Sequence, residues 1–328
     1  MLIFDAHSDL MTDITSRRMS GEKNVFLNRH NAKLTNGGVN ALIAVVWMEP
    51  INYANSSNRM FQILKNSFAE FYPLENIEFP IRNAKELDTA ILNNKMAIIL
   101  GMEGLEGLED DPENLYLLYE LGLRHASLTW NHENFFATGV KAVEKNKGLT
   151  ELGKRAIEIM DDLGILIDVS HANEKSFWDI MELSSGPIIA SHSNAYSLCQ
   201  APRNLKDDQI KAIAKTKGVI GINAWHEFID SANPCVEKLA DHVDYIANMI
   251  GIDHLAFGFD FTDYLEDDSV SSFRTGKPQV TKNLKSSDDI PNFIKELRRR
   301  GYTNEELKKM GYSNLRNVFE IVTEKNNK

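Results

Sequence analysis

Cysteine is nearly absent from this chain: Cys199 and Cys235 are the only two in 328 residues. Two cysteines make no disulfide framework, and no C-x-x-C pair offers zinc or redox chemistry. Long apolar runs are missing as well. The longest, Ala41 to Met48, falls far short of the ~20 residues that span a bilayer. Proline (9) and glycine (19) are too sparse for a collagen-like or low-complexity chain, and no Pro/Gly/Ser-rich linker divides the sequence. Positive charge is in deficit. Lys and Arg number 36 against 47 Asp and Glu, a net charge of −11, which disfavours non-specific binding to nucleic acid or anionic membrane. The first residues carry no basic segment followed by an apolar one, so no signal peptide is expected. The polar ending, Glu324 to Lys328, gives no expectation of a lipid-anchor tail. These absences lead us to expect a soluble, cytoplasmic protein with no membrane or nucleic-acid partner.

What the chain has is eight short apolar runs. They are Leu2 to Ala6, Ala41 to Met48, Met96 to Gly101, His125 to Trp130, Ile165 to Val169, Pro187 to Ser191, Val219 to Asn223 and Leu255 to Phe259. Most are too short for buried helices. They lack polar alternation, as strands covered on both faces do. Helical periods lie between most of them. In Glu151 to Leu163, the residues Leu152, Ala156, Ile159, Met160 and Leu163 share one face, with Thr150 placed as N-cap and Gly164 as C-cap. Asp207 to Lys217 and Pro234 to Ile250 read the same way. Alternating strands and helices predict an α/β fold, a (β/α)8 TIM-type barrel forming a single domain over residues 1–328. A doubly wound open sheet is the structural competitor. Two stretches exceed a minimal barrel: Glu49 to Lys95, and the polar Asp263 to Pro291, expected as a loop over the barrel.

Five of the runs end in residues that bind metals or move protons: Asp5-Ala6-His7-Ser8-Asp9, Gly101-Met102-Glu103-Gly104, Asp168-Val169-Ser170-His171, Ala190-Ser191-His192-Ser193 and Gly258-Phe259-Asp260. In a barrel, the C-terminal ends of the strands form the active-site face, so these residues would converge there. His7 and Asp9, two apart, point to one side of a strand. Imidazoles and carboxylates suit zinc and other first-row divalent ions. His7, Asp9, Glu103, His171 and His192 suffice for two ions if one carboxylate bridges them. Asp260 is then free to carry a proton, which amide hydrolysis must deliver to the leaving amine.

Each residue alone has a plainer role. A strand-end His is usually a hydrogen-bonded structural residue, Asp260 suits a helix N-cap, and Glu103 suits a solvated loop. The five together, in barrel order, outweigh those roles. Other signals are weaker. Gly101, Gly104 and Gly107 do not make G-x-G-x-x-G, and Glu103 and Glu106 would repel a phosphate. No G-x-S-x-G elbow occurs. Ser170 and Ser191 each precede a His, but neighbours on a strand face opposite ways, so no nucleophile–base pair is expected. Cys199 reads as a buried thiol. His30, His125, His226, His242 and His254 read as structural or surface residues.

These residues resemble the membrane (renal-type) dipeptidases, peptidase family M19, among the amidohydrolase-like metal-dependent hydrolases. Asp5-Ala6-His7-Ser8-Asp9 resembles the family's D-x-H-x-D, and Gly101 to Gly104 its bridging-glutamate strand. The longest match runs from Gly148-Leu149-Thr150 through Asp168-Val169-Ser170-His171. Ala190 to Ala195, Pro202-Arg203-Asn204, Gly258 to Phe261 and the tail Gly301 to Phe319 follow in order. The resemblance implies a zinc-dependent dipeptidase with two divalent ions, most simply Zn2+. His7 and Asp9 would bind one, His171 and His192 the other, and Glu103 would bridge. A metal-bridging hydroxide would attack the carbonyl, with Asp260 relaying its proton to the leaving amine. Arg203 would bind the terminal carboxylate of a small dipeptide, whose C-terminal residue can be of D configuration. A homodimer is also implied.

There is one departure. Family members with Leu-Thr-His after the fourth strand use that His as an oxyanion donor, whereas this chain has Leu128-Thr129-Trp130-Asn131-His132. Trp130 takes the histidine's place, leaving Asn131 or His132 as candidate substrate-binding donors. Two alternatives therefore stand beside the dipeptidase: a metal-dependent hydrolase of another small amide, lactam or ester, and a catalytically inactive small-molecule-binding barrel.

Overall fold

The computed structural model describes residues 1–266, 269–270, 274 and 279–324. Nine strands form one sheet: β1 (Ile3–Ser8), β2 (Val39–Trp47), β3 (Ile77–Glu78), β4 (Met96–Glu103), β5 (Leu123–Ser127), β6 (Leu166–Asp168), β7 (Ile188–Ile189), β8 (Ile220–Ile222) and β9 (Leu255–Phe257). All pairings between them are parallel, in the order β7-β6-β5-β4-β2-β1-β9-β8. The ends meet: Ala190 N donates to Val219 O at 3.1 Å, and Gly221 N donates to Ala190 O at 2.8 Å. The sheet thus closes into a (β/α)8 barrel, and the open-sheet alternative is set aside. Closure is tight because Gly221 and Gly258 abut the Ser191 carbonyl. A Cβ at either would sit 1.9 or 1.7 Å from that oxygen.

Each of the eight apolar runs contributes one barrel strand, and the barrel explains their lack of alternation. Phe4, Ala41, Ile43, Val45, Ile99, Leu166, Ile189 and Ala256 meet in one interior cluster. Their neighbours Ile3, Leu42, Ala44, Val46, Ile98, Leu100 and Phe257 join the larger layer under the helices. Both faces of a strand are buried, so both must be apolar. The closing helix Asn314–Thr323 sends Leu315, Val318 and Phe319 into the interior cluster, where Phe319 meets the Phe4 ring edge-on at 6.5 Å.

The cap residues stand as expected. Thr150 Oγ1 accepts from Gly153 N at 3.0 Å, and Gly164, at φ 75°, donates to Met160 O. The surplus Glu49 to Lys95 contains more than connection. The helix Ser56–Phe71 covers the barrel wall, β3 pairs with β4 outside the barrel order, and Ala84–Leu92 ties to the closing helix through Asp88 and Arg316 at 2.6 Å. The second surplus lies partly outside the described residues. Its far end is helical sooner than expected: Pro291 stands in the first turn of Ile290–Arg299, where a missing N–H costs nothing. Both cysteines are buried and unpaired, and among the described residues no helix is long and apolar enough to cross a membrane.

Candidate metal centre

Six residues with donor side chains gather at the C-terminal end of the barrel. His7 lies near the end of β1 with Asp9 just beyond it, and Glu103 is the last residue of β4. His171 and His192 stand three residues past β6 and β7, and Asp260 three past β9. Glu103 is the hub. Its Oε1 lies 2.7 Å from His171 Nε2, 3.4 Å from His192 Nε2 and 3.6 Å from His7 Nε2. His7 Nε2 also lies 3.7 Å from Asp9 Oδ1 and 3.9 Å from Asp260 Oδ1. The five residues other than Asp260 are at most 6% exposed. His171 (φ 70°) and Asp260 (φ 57°) hold left-handed backbone, which His and Asp adopt more readily than most residues and which marks functional positions.

This donor set fits a divalent cation. Both nitrogens of His7 and Oδ1 of Asp9 are buried with no hydrogen-bond partner among the described residues. The Nε2 atoms of His171 and His192 face each other at 2.9 Å. Buried lone pairs so close to carboxylates need positive charge between them. The groups His7–Glu103–His192 and His7–Asp9–Asp260 each place their donor atoms within 4.8 Å of one another.

Titration follows the same crowding. Burial, then the Asp9 and Asp260 carboxylates, push Glu103 well above the usual range. Burial pushes Asp260 up to about 7, against the pull of His7. Burial alone would lower His7, but Glu103, Asp9 and Asp260 together raise it to about 10. His171 and His192 are held well below the ordinary histidine value, by burial first and by Arg203 and His7 next. Those two rings are neutral, as ligands must be.

Beside the donors opens a cavity of about 770 Å³, lined in part by Asp9, Glu103, Asp260, Arg203, Trp130 and Asn131. The volume is in the range of small-molecule sites. Arg203 is 5% exposed, donates from Nη2 to His192 O at 3.1 Å, and keeps a buried Nε with no partner. Trp130 is buried against Trp47, their ring centres 5.7 Å apart, and lies 5.9 Å from His171. Asn131 lines the cavity, and its Oδ1 accepts from His171 Nδ1 at 2.9 Å. His132 is exposed and is not among the lining residues.

Several neighbours were not legible in sequence. His125 sits with Nε2 3.2 Å from Asp168 Oδ2. His226, which the sequence suggests is structural or surface, lines the cavity, as do Trp47 and Lys141. His30, His242 and His254 do make structural bonds, to Asp13, Ile229 O and Gly218 O. Ser191 Oγ lies 2.7 Å from His192 Nδ1, although adjacent strand residues point apart. β7 ends at Ile189, so alternation no longer holds at Ser191.

A parallel barrel with a buried His/carboxylate cluster at its C-terminal end defines a metal-dependent hydrolase class. The family model for membrane dipeptidase (peptidase family M19) matches residues 1–328, and the chain belongs to that family. It is a metal-dependent peptide hydrolase, a dipeptidase by family, with a divalent metal cofactor. An uncharacterized dipeptidase of Schizosaccharomyces pombe is 32% identical over 222 residues, 66% of this chain and 50% of that one. An uncharacterized protein from the pqqA 5′ region of Klebsiella pneumoniae is 33% identical over 216 residues, 62% of this chain and 79% of its own. Among solved structures, a metallo peptidase from Rhodobacter sphaeroides liganded with a phosphinate mimic of the dipeptide L-Ala-D-Ala superposes with a TM-score of 0.86. It is 22% identical, with coverage of 98% of this chain and 99% of that one. The probable dipeptidase PvdM of Pseudomonas aeruginosa gives a TM-score of 0.82 at 19% identity, covering 99% and 96% of the two chains.

Proposed function

We propose that this protein hydrolyses small dipeptides with a free C-terminal carboxylate, using two zinc ions. His7 and Asp9 would hold one ion and His171 and His192 the other, with Glu103 placed to serve as a ligand beside them. The observation that carries this reading is the convergence of all three His Nε2 atoms on Glu103 Oε1, within 3.6 Å. When bound, the ions supply Lewis acidity, polarising the peptide carbonyl and lowering the pKa of water.

The chain's own residues do the rest. Asp260, raised to about 7 by burial and steadied by Asn223 Nδ2 at 3.2 Å, takes up a proton near neutral pH and delivers it to the leaving amine. Arg203, anchored through His192 O, offers Nε to the substrate's carboxylate; a guanidinium matches that planar group. Asn131 keeps His171 in place through Nδ1, so its oxygen serves the ligand rather than the substrate. Trp130 packs as an apolar wall. A D-configured C-terminal residue is compatible with this reading, because only the carbonyl and the carboxylate need be recognised. The dipeptide mimic bound by the Rhodobacter sphaeroides relative carries such a residue. The working unit is a homodimer in the cytoplasm.

The test is a panel of L-L and L-D dipeptides, each with a C-terminally amidated counterpart, assayed with two equivalents of zinc. Cleavage of free acids over amides is expected, with loss on chelation. No cleavage of any member would sink the reading. Equal cleavage of acids and amides would favour a broader amidase.

A further inference from the structure

Behind His192 lies a buried polar cluster that the proposed chemistry does not use. Asp168, the last residue of β6, is 2% exposed and takes four hydrogen bonds. Its Oδ1 accepts from Ser170 N and Ser191 N, each at 2.9 Å. Its Oδ2 accepts from His125 Nε2 at 3.2 Å and from Ser191 Oγ at 2.5 Å. Ser191 Oγ in turn lies 2.7 Å from His192 Nδ1.

Proton counting decides the direction of that last bond. A carboxylate with four donors on it can only accept. The one hydroxyl proton of Ser191 therefore goes to Asp168. What Ser191 Oγ shows to His192 is a lone pair, so His192 Nδ1 must carry the hydrogen. A neutral imidazole has one N–H, so Nε2 is bare. That bare nitrogen faces Glu103 and His171. Ser170 completes the cluster: it accepts from His192 N at 3.2 Å and has its own hydroxyl 3.3 Å from Ser191 Oγ.

We propose that Asp168, acting through Ser191, is a positioning residue: it commits His192 to the Nδ1–H tautomer and so presents Nε2 to the metal. The inference rests on the metal-site reading above. It extends that site by two residues, neither of which touches substrate or ion. The arrangement makes the serine a polarity relay rather than a nucleophile. With a neutral side chain in place of Asp168, Ser191 can turn its proton toward His192 Nδ1, which drives the ring to the Nε2–H form and removes the lone pair.

The experiment uses the full-length protein with uniformly ¹⁵N-labelled histidine. Imidazole nitrogen shifts of the metal-free protein report the tautomer of His192, and competition against a chelator gives the affinity for each zinc. Wild type is expected to show His192 protonated at Nδ1. Asp168→Asn, nearly isosteric, is expected to shift His192 toward Nε2–H and weaken one of two zinc sites by roughly 10–100-fold, the usual effect of losing a group that orients a ligand. Ser191→Ala is expected to leave mixed tautomers and a loss at the same site. A folded Asp168→Asn protein with the wild-type tautomer and both wild-type affinities overturns the proposal. Should that variant not fold, an unchanged tautomer and affinity in Ser191→Ala overturns it equally. Wild type that binds no zinc would end the metal-site reading instead, while the tautomer in the metal-free protein still decides the relay.

Discussion

In the proposed reading, substrate choice turns on Arg203. Its guanidinium is buried, and its Nε has no hydrogen-bond partner among the described residues. Arg203→Ala is expected to lower kcat/KM for free-acid dipeptides by roughly 30-fold or more, about 2 kcal/mol, as for truncating a buried charge partner. Amidated substrates should lose much less, and a steady-state comparison of the two series checks this. Trp130 poses the opposite question. It stands where the family resemblance of Leu128-Thr129-Trp130 leads us to expect an oxyanion-donating histidine, and a single such donor is worth roughly 100-fold in kcat. Trp130→His is expected to raise kcat with zinc content unchanged. A fall in kcat would show that the indole wall, packed on Trp47 and His171, is needed to hold the site. A residue's place is legible in sequence where it follows directly from a strand end, as with Glu103 closing β4. Sequence does not give the partners of Ser191 and His125, which come from other strands, or the exposure of His132.

At the scale of elements, local signals and close contacts separate cleanly. The helix Glu151–Leu163 is bounded by a cap bond at Thr150 and a left-handed Gly164. Thr150→Ala is expected to lower unfolding free energy by about 1 kcal/mol with kcat unchanged, read by urea denaturation. Gly258 is a different case. Its missing side chain admits the Ser191 carbonyl, and a Cβ there would lie 1.7 Å from that backbone oxygen. Gly258→Ala must push β7 away from β9 and move His192 with it. Loss of divalent-metal binding together with a large drop in melting temperature is expected. Nothing local marks this glycine as the critical one, since the clash comes from a strand 67 positions earlier in sequence.

For the whole molecule, stability is coupled to the cation and to pH. The candidate metal-binding groups come from strands spread across the barrel, and burial with neighbouring carboxylates raises Glu103. Chelation is therefore expected to lower the melting temperature measured by calorimetry, and readdition of zinc to restore it. Glu106 adds a pH term of known sign. Burial pushes its carboxyl up to about 7, opposed by the Trp130 N–H and Asn134. A raised folded-state value means the contribution is whole below the unfolded value of 4.5 and is lost as pH rises through about 7. Glu106→Gln, a neutral near-isostere, should gain on wild type as pH climbs from 5 to 8, by about 1–3 kcal/mol. Urea titrations at the two ends of that range decide it, and a constant difference would refute the assignment. Glu296 runs the other way. Its side chain, bound by Arg299 and Arg300, is held down at about 2, so its stabilisation is present above 4.5 and fades as pH falls toward 2.

By itself, the sequence determined the strands, the caps and the donor types. Strand runs are apolar throughout because both faces are buried, caps act within a few residues, and a metal constrains which side chains can serve it. Those constraints are written residue by residue. Tertiary structure alone decided which groups meet across the barrel: the closure of β7 on β8 past two glycines, the Asp168–Ser191–His192 chain, and the removal of His132 from the cavity. Each depends on where the backbone goes after a strand ends. That path is set by the packing of distant segments, so no local pattern records it.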